Sequence, residues 1–156
     1  MDADMSPEMA HQVLEMLTGG GSMDNINTSL ALRLIPLAQD LGKEDLIERL
    51  LEHATKVARN EEERGWAKFE ALKVMEAGLD SFVRLAEEVE HLEQAQALTA
   101  AVHHYVALLY LAEARLDEAR ATAQHALRVR QTANDKQGLA YGCLLYTSDA
   151  ADDRLS

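Results

Sequence analysis

Six histidines, a surplus of carboxylates and a handful of serines are the residues of this chain with chemistry to offer. His103 and His104 are adjacent, so on a helix their side chains point about 100° apart and cannot chelate one ion together. His11, His53, His91 and His125 each stand alone, with no His-x-x-x-His or His-Glu-x-x-His spacing and no nearby cysteine, so the sequence predicts no metal site. Glu61–Glu63, Glu87, Glu88, Glu90 and Glu93 sit among lysines and arginines, the pattern of solvated helix faces rather than of a paired acid and base. Ser6, Ser22, Ser29 and Ser81 have no partner histidine at a recognisable spacing. Gly19-Gly20-Gly21-Ser22 lacks the Gly-Lys-Ser/Thr that completes a phosphate-binding loop, and reads as a flexible connection. The expectation is a protein with no catalytic residues and no cofactor, not an enzyme.

Charge narrows the partners. The formal net charge is −12. Nucleic acid and anionic membrane surfaces call for clustered Lys and Arg, so neither is expected as a direct partner. An acidic surface instead attracts basic protein segments. No apolar run approaches the ~18 residues that cross a bilayer. Met1 to Pro7 has neither the basic start nor the apolar core of a signal peptide, so a cytoplasmic location is expected. The single cysteine is Cys143.

The elements that would position these groups are helices. No sustained period-two alternation occurs, and no Asn-Gly or Asp-Gly hairpin. Ser6-Pro7 opens a first helix, with Met9, Val13, Met16 and Leu17 on one face, until the glycine run ends it. A second helix is predicted from about Thr28 to Leu41, kinked or started late at Pro36 and broken by Gly42. Leu46, Ile47, Leu50, Leu51, Ala54 and Val57 form the apolar stripe of a third. Asn60 with Glu63 reads as an N-cap with a reciprocal acidic partner, starting a fourth helix that ends near Gly78. Leu79–Glu93, Ala95–Ala114 and Leu116–Thr132 follow, and Asn134-Asp135 is read as the start of another helix. The Met-rich first helix reads as a cap on the stack; the chain's start is Met1 or Met5.

Self-comparison adds a repeat. Glu76-Ala77-Gly78-Leu79-Asp80 matches Glu113-Ala114-Arg115-Leu116-Asp117 at a shift of 37 residues. Gly65-Trp66-Ala67 matches Gly138-Leu139-Ala140 at a shift of 73. A period of about 36–37 residues carrying two helices is the signature of a solenoid, in which stacked hairpins close one another's apolar faces.

From about Ala100 to Ala133 the chain resembles the tetratricopeptide-repeat (TPR) family, in a variant found in bacterial regulatory proteins. Val106-Ala107 and Tyr110 stand where that family's first helix carries a large apolar, a small and an aromatic residue. Ala119 and Ala126 match the small positions of its second helix, with Leu116 in the turn, and Tyr110 and Leu127 are expected to fill the space between layers. His103, Ala114 and Gln131 depart from the pattern at the leading aromatic, the turn glycine and the terminal proline. The resemblance implies an all-α, right-handed solenoid of antiparallel helical hairpins, with residues 1–22 as an N-terminal helix and Gly-rich loop and residues 23–142 as the repeats. It also implies a concave groove lined by first helices, at Ala101, His104, Tyr105 and Leu108 and, one period earlier, at Arg64, Lys68 and Ala71. Arg64 and Lys68 there would receive an acidic or C-terminal peptide.

Cys143 to Asp152 resembles a translated sequencing adapter, so residues 143–156 are read as a non-native tail that truncates the solenoid. Without the tail the charge is −10 (14 − 24). The expected function is a non-catalytic scaffold for a protein or peptide partner, or for the chain's own missing effector domain. The alternative is a ligand-sensing regulatory domain. Leu139, Tyr141, Leu144 and Leu145 would leave an apolar end exposed, which predicts weak stability or self-association.

Overall fold

The computed structural model describes the backbone of residues 6–141 and the side chains of residues 6–133. Among the described residues the chain is all-helical, with no strand. No helix there is long and apolar enough to cross a membrane. The chain divides into two compact units, Met1–Ala77 and Gly78–Ser156.

The first unit holds α1 (Pro7–Thr18), α2 (Thr28–Asp40), α3 (Glu44–Lys56) and α4 (Glu61–Val74). α1 starts as its sequence demands: the Ser6 hydroxyl accepts the Met9 N–H at 3.2 Å and Pro7 occupies the first turn. Its C-terminal end meets Arg49 of α3, which donates to the Leu17 carbonyl at 3.2 Å, a cation at the negative end of the helix dipole. Asn27 caps α2 through its Oδ1, 2.8 Å from the Leu30 nitrogen. Pro36 lies inside α2, where it removes one helical N–H. The core is built from Leu14 and Leu17 of α1, Leu34 and Ile35 of α2, and Leu46 and Leu50 of α3, all buried. Two polar groups fasten the start of α2 and the residues just before it to α3. The buried Thr28 hydroxyl donates to the Ala54 carbonyl at 2.7 Å, and His53 Nε2 reaches the Ile26 carbonyl at 2.6 Å.

The N-terminus of α4 differs from expectation in one bond. Asn60 Oδ1 accepts the Glu63 N–H at 2.8 Å, as a cap should. The Glu63 carboxylate, however, takes the Arg59 N–H at 2.9 Å and the Arg59 guanidinium at 2.8 Å instead of returning to Asn60. A charged guanidinium adds a second, charge-assisted bond at Arg59, and the carboxylate follows it. The far end of α4 also falls short of Gly78. Glu76 takes a left-handed conformation (φ 54°) and closes the helix, its own N–H reaching the Lys73 carbonyl at 3.1 Å and the Ala77 N–H reaching that of Leu72 at 3.0 Å.

The second unit holds α5 (Leu79–Val89), α6 (Gln96–Ala112) and α7 (Leu116–Tyr141). Phe82, Leu85 and Val89 of α5 are buried with Leu98, Val102 and Val106 of α6. Ala119 and Ala126 of α7 are buried as their type predicts, small residues that let α6 and α7 approach. Leu127 is not a filler between layers: it is 55% exposed. It lies about 100° around the helix from Ala126, so a helix that turns its alanines to α6 turns Leu127 outward. Asn134-Asp135 does not start a separate helix, because α7 runs unbroken to Tyr141 with no proline to interrupt it. The apolar end at Leu139, Tyr141, Leu144 and Leu145, the adapter-like tail at 143–156 and the choice between Met1 and Met5 lie outside the residues described in side-chain detail.

Candidate functional site

A groove opens between α2 and α4 inside the first unit. Thr28, Ser29, Leu32 and Arg33 line it from α2, and Glu63, Trp66 and Glu70 from α4, around a cavity of about 340 Å³. The α4 residues recur at helical spacing, so one face of that helix supplies a floor and a rim together. Trp66 is half-buried, its ring 6.2 Å from that of Phe69. Phe69 is buried and carries the Lys73 ammonium 4.5 Å over its ring, and Lys73 also pairs with Glu70 at 3.0 Å. The hydrogen bonds from Arg59 hold the Glu63 carboxyl below the usual carboxylate range. The site is thus an indole and a leucine framed by two carboxylates and one guanidinium.

The residues assigned to a groove by family resemblance lie on one face of each of two helices. On α4, Arg64 and Lys68 are exposed and Ala71 is half-buried, each one residue along from a lining position of the cavity or two from Trp66. On α6, Ala101 is half-buried, His104 exposed and Leu108 49% exposed. Tyr105 packs on Phe82 of α5, ring centroids 4.7 Å apart and planes tilted by 45°. Glu63, Trp66 and Glu70 are not among the positions that the resemblance implies, because they lie one or two residues around α4 from Arg64, Lys68 and Ala71.

A second constellation lies wholly in the second unit. Glu90 follows the last turn of α5, His103 sits on α6 and His125 on α7. His125 Nε2 lies 3.1 Å from both carboxylate oxygens of Glu90, and His103 Nε2 lies 3.3 Å from Oε1. The two imidazole rings meet edge to face at 4.6 Å. His103 Nδ1 donates to the Thr99 carbonyl at 2.8 Å, and the buried Thr99 hydroxyl donates to the Val89 carbonyl at 3.2 Å. One threonine therefore orients His103 with its carbonyl and holds the chain beside Glu90 with its hydroxyl. His104, next in sequence to His103, is exposed.

Among the described residues, no buried side-chain nitrogen or oxygen lacks a hydrogen-bond partner. No protein-family model, curated protein or solved structure matches the chain.

Proposed function

We propose that this chain is a TPR-like, non-catalytic scaffold that docks a short protein segment in the groove between α2 and α4. The single observation that carries the reading is that groove, with a half-buried Trp66 at its floor and a charged rim. Aromatic side chains flanked by charges are the usual anchors of peptide recognition. Pairing of consecutive helices supports a hairpin array, since α2 packs on α3 and α6 on α7 through turns with the same hydrogen bonds. The net charge of −12 favours a basic segment; on the rim itself Glu63 and Glu70 are already paired, with Arg59 and Lys73, and Arg33 stands beside them. Arg64 and Lys68 flank the cavity rather than line it, which moves the preference away from the acidic peptide that they alone would suggest.

Trp66 is the only tryptophan, so its fluorescence reports the groove directly. Short lysine/leucine peptides are expected to shift its emission saturably, and their glutamate/leucine counterparts are not. Equal responses to both would overturn the charge assignment. No saturable response to either would overturn peptide docking. A cavity of about 340 Å³ is also within the size range of small-ligand pockets, which favours the sensor reading second. A small apolar dye that perturbs Trp66 saturably while both peptides fail would select it.

A further inference from the structure

We infer that Glu90, His103 and His125 form a binding site for a divalent first-row transition ion, zinc foremost. The inference is independent of the groove, which lies in the other unit. Among the described residues these three offer one ligand atom each, all within 4.8 Å of one another. Metal bonds of about 2.0–2.2 Å around a tetrahedral centre place neighbouring ligand atoms about 3.3 Å apart. The nitrogen-to-oxygen separations here are 3.1 and 3.3 Å. Two imidazoles with one carboxylate suit zinc, cobalt, nickel or copper, whereas calcium and magnesium take oxygen ligands. Three protein ligands leave a further position for water or an exogenous ligand.

The hydrogen bond to Thr99 is what separates this cluster from an ordinary carboxylate–histidine pair. It commits the only proton of a neutral His103 to Nδ1 and turns the lone pair of Nε2 toward the Glu90 oxygen. The Nε2 lone pair of that form lies 3.3 Å from the Glu90 oxygen, where both can ligate one cation. Orientation of a ligating histidine by a backbone carbonyl through its other nitrogen is the common outer-shell device at metal sites. The ligands come from the end of α5 and from two further helices, so a bound ion fastens α5 to the α6–α7 pair.

The test uses the full, untagged chain carrying Cys143→Ser, so that the thiol does not contribute, stripped with a chelator and then freed of it. Titration with zinc chloride in a calorimeter should give one saturable equivalent, and zinc should raise the melting temperature by several degrees. Cobalt(II) should develop the intense visible bands of low coordination number. Glu90→Gln and His125→Ala change partly exposed side chains; each should weaken zinc binding by more than about tenfold while the far-ultraviolet dichroism stays unchanged. His91→Ala, His104→Ala and Trp66→Ala should leave zinc binding as it was, the last separating this site from the peptide groove. The proposal is overturned by no saturable heat with an unmoved melt, by binding that survives both ligand substitutions, or by a cobalt spectrum matching the aqueous ion. The first of these outcomes would mean that Glu90 simply shares a proton with the imidazoles.

Discussion

The turn from α2 to α3 and the turn from α6 to α7 make the same hydrogen bonds with different residues. Gly42 (φ 70°) and Ala114 (φ 61°) both adopt the left-handed conformation. The N–H of Gly42 reaches the Gln39 carbonyl and that of Lys43 the Ala38 carbonyl; Ala114 and Arg115 repeat the pair toward Leu111 and Tyr110. What lies between the paired helices differs. The first pair is filled by Leu34, Ile35, Leu46 and Leu50, whereas the second meets through Val102, Val106, Ala119 and Ala126. Leu108, Leu111, Leu116 and Leu127 stay exposed on the second pair. One turn geometry thus serves a pair held by large side chains and a pair held by close approach, so the turn depends neither on what fills the space between the helices nor on a glycine in its left-handed position.

The largest effect should come from the filling. Leu50 is fully buried, and Leu50→Ala should cost about 2–5 kcal/mol in urea unfolding followed by circular dichroism. Ala126→Leu tests the opposite limit: a larger side chain where the helices approach closely should cost about 1–3 kcal/mol. If Ala126→Leu is neutral, the second pair is not held by close approach and the contrast fails.

Exchanging the turn residues should give a smaller effect of opposite sign. Nothing stands within 4 Å of a methyl group added at Gly42, so Gly42→Ala should destabilise through its backbone conformation alone, by about 1 kcal/mol. Ala114→Gly relieves the same strain and should stabilise by about 0.5–1 kcal/mol, less whatever entropy the glycine adds to the unfolded chain. Equal signs in the two melts would mean that the turns are not equivalent.

The smallest effect concerns two ion pairs at helix starts, Arg59–Glu63 at α4 and Arg115–Glu118 at α7. Hydrogen bonds from the arginine hold each carboxyl below its usual range. A depressed carboxylate contributes stability above the unfolded value of about 4.3, and that contribution is lost as the pH falls through the folded value. Wild type should therefore exceed Glu63→Gln in stability at neutral pH and converge with it in the acid limb. Glu118→Gln should show less of this, because the Glu118 side chain is 48% exposed to solvent screening against 18% for Glu63. A gap between wild type and Glu63→Gln that widens in acid would reverse the assignment.

Much of the helical layout was legible because its signals are local. Ser6 and Asn60 mark helix starts through their own hydrogen bonds, and the stripe from Leu46 to Ala54 marks a buried face. The end of α4 was less legible, since Glu76 takes a conformation for which sequence reasoning looks to glycine, whereas Ala114 was placed at the turn-glycine position by the resemblance. Glu63 was read as bonding back to Asn60, and only geometry shows that Arg59 outcompetes it. The imidazole–carboxylate cluster was invisible: His125 and Glu90 are 35 residues apart on different helices, and no spacing rule links them. The groove followed the same pattern, because which α4 residues face α2 depends on a rotation of about 100° per residue.

Pro36 has a consequence for what the α2–α4 groove can recognise. Having no N–H, it makes no helical bond to the carbonyl of Leu32, four residues back on the same face and itself part of the groove lining. That leaves the carbonyl of a groove-lining residue without its usual helical donor. If a segment docks along α2 as proposed, a main-chain amide within reach of that oxygen would add affinity indifferent to sequence, leaving Trp66 and the charged rim to discriminate.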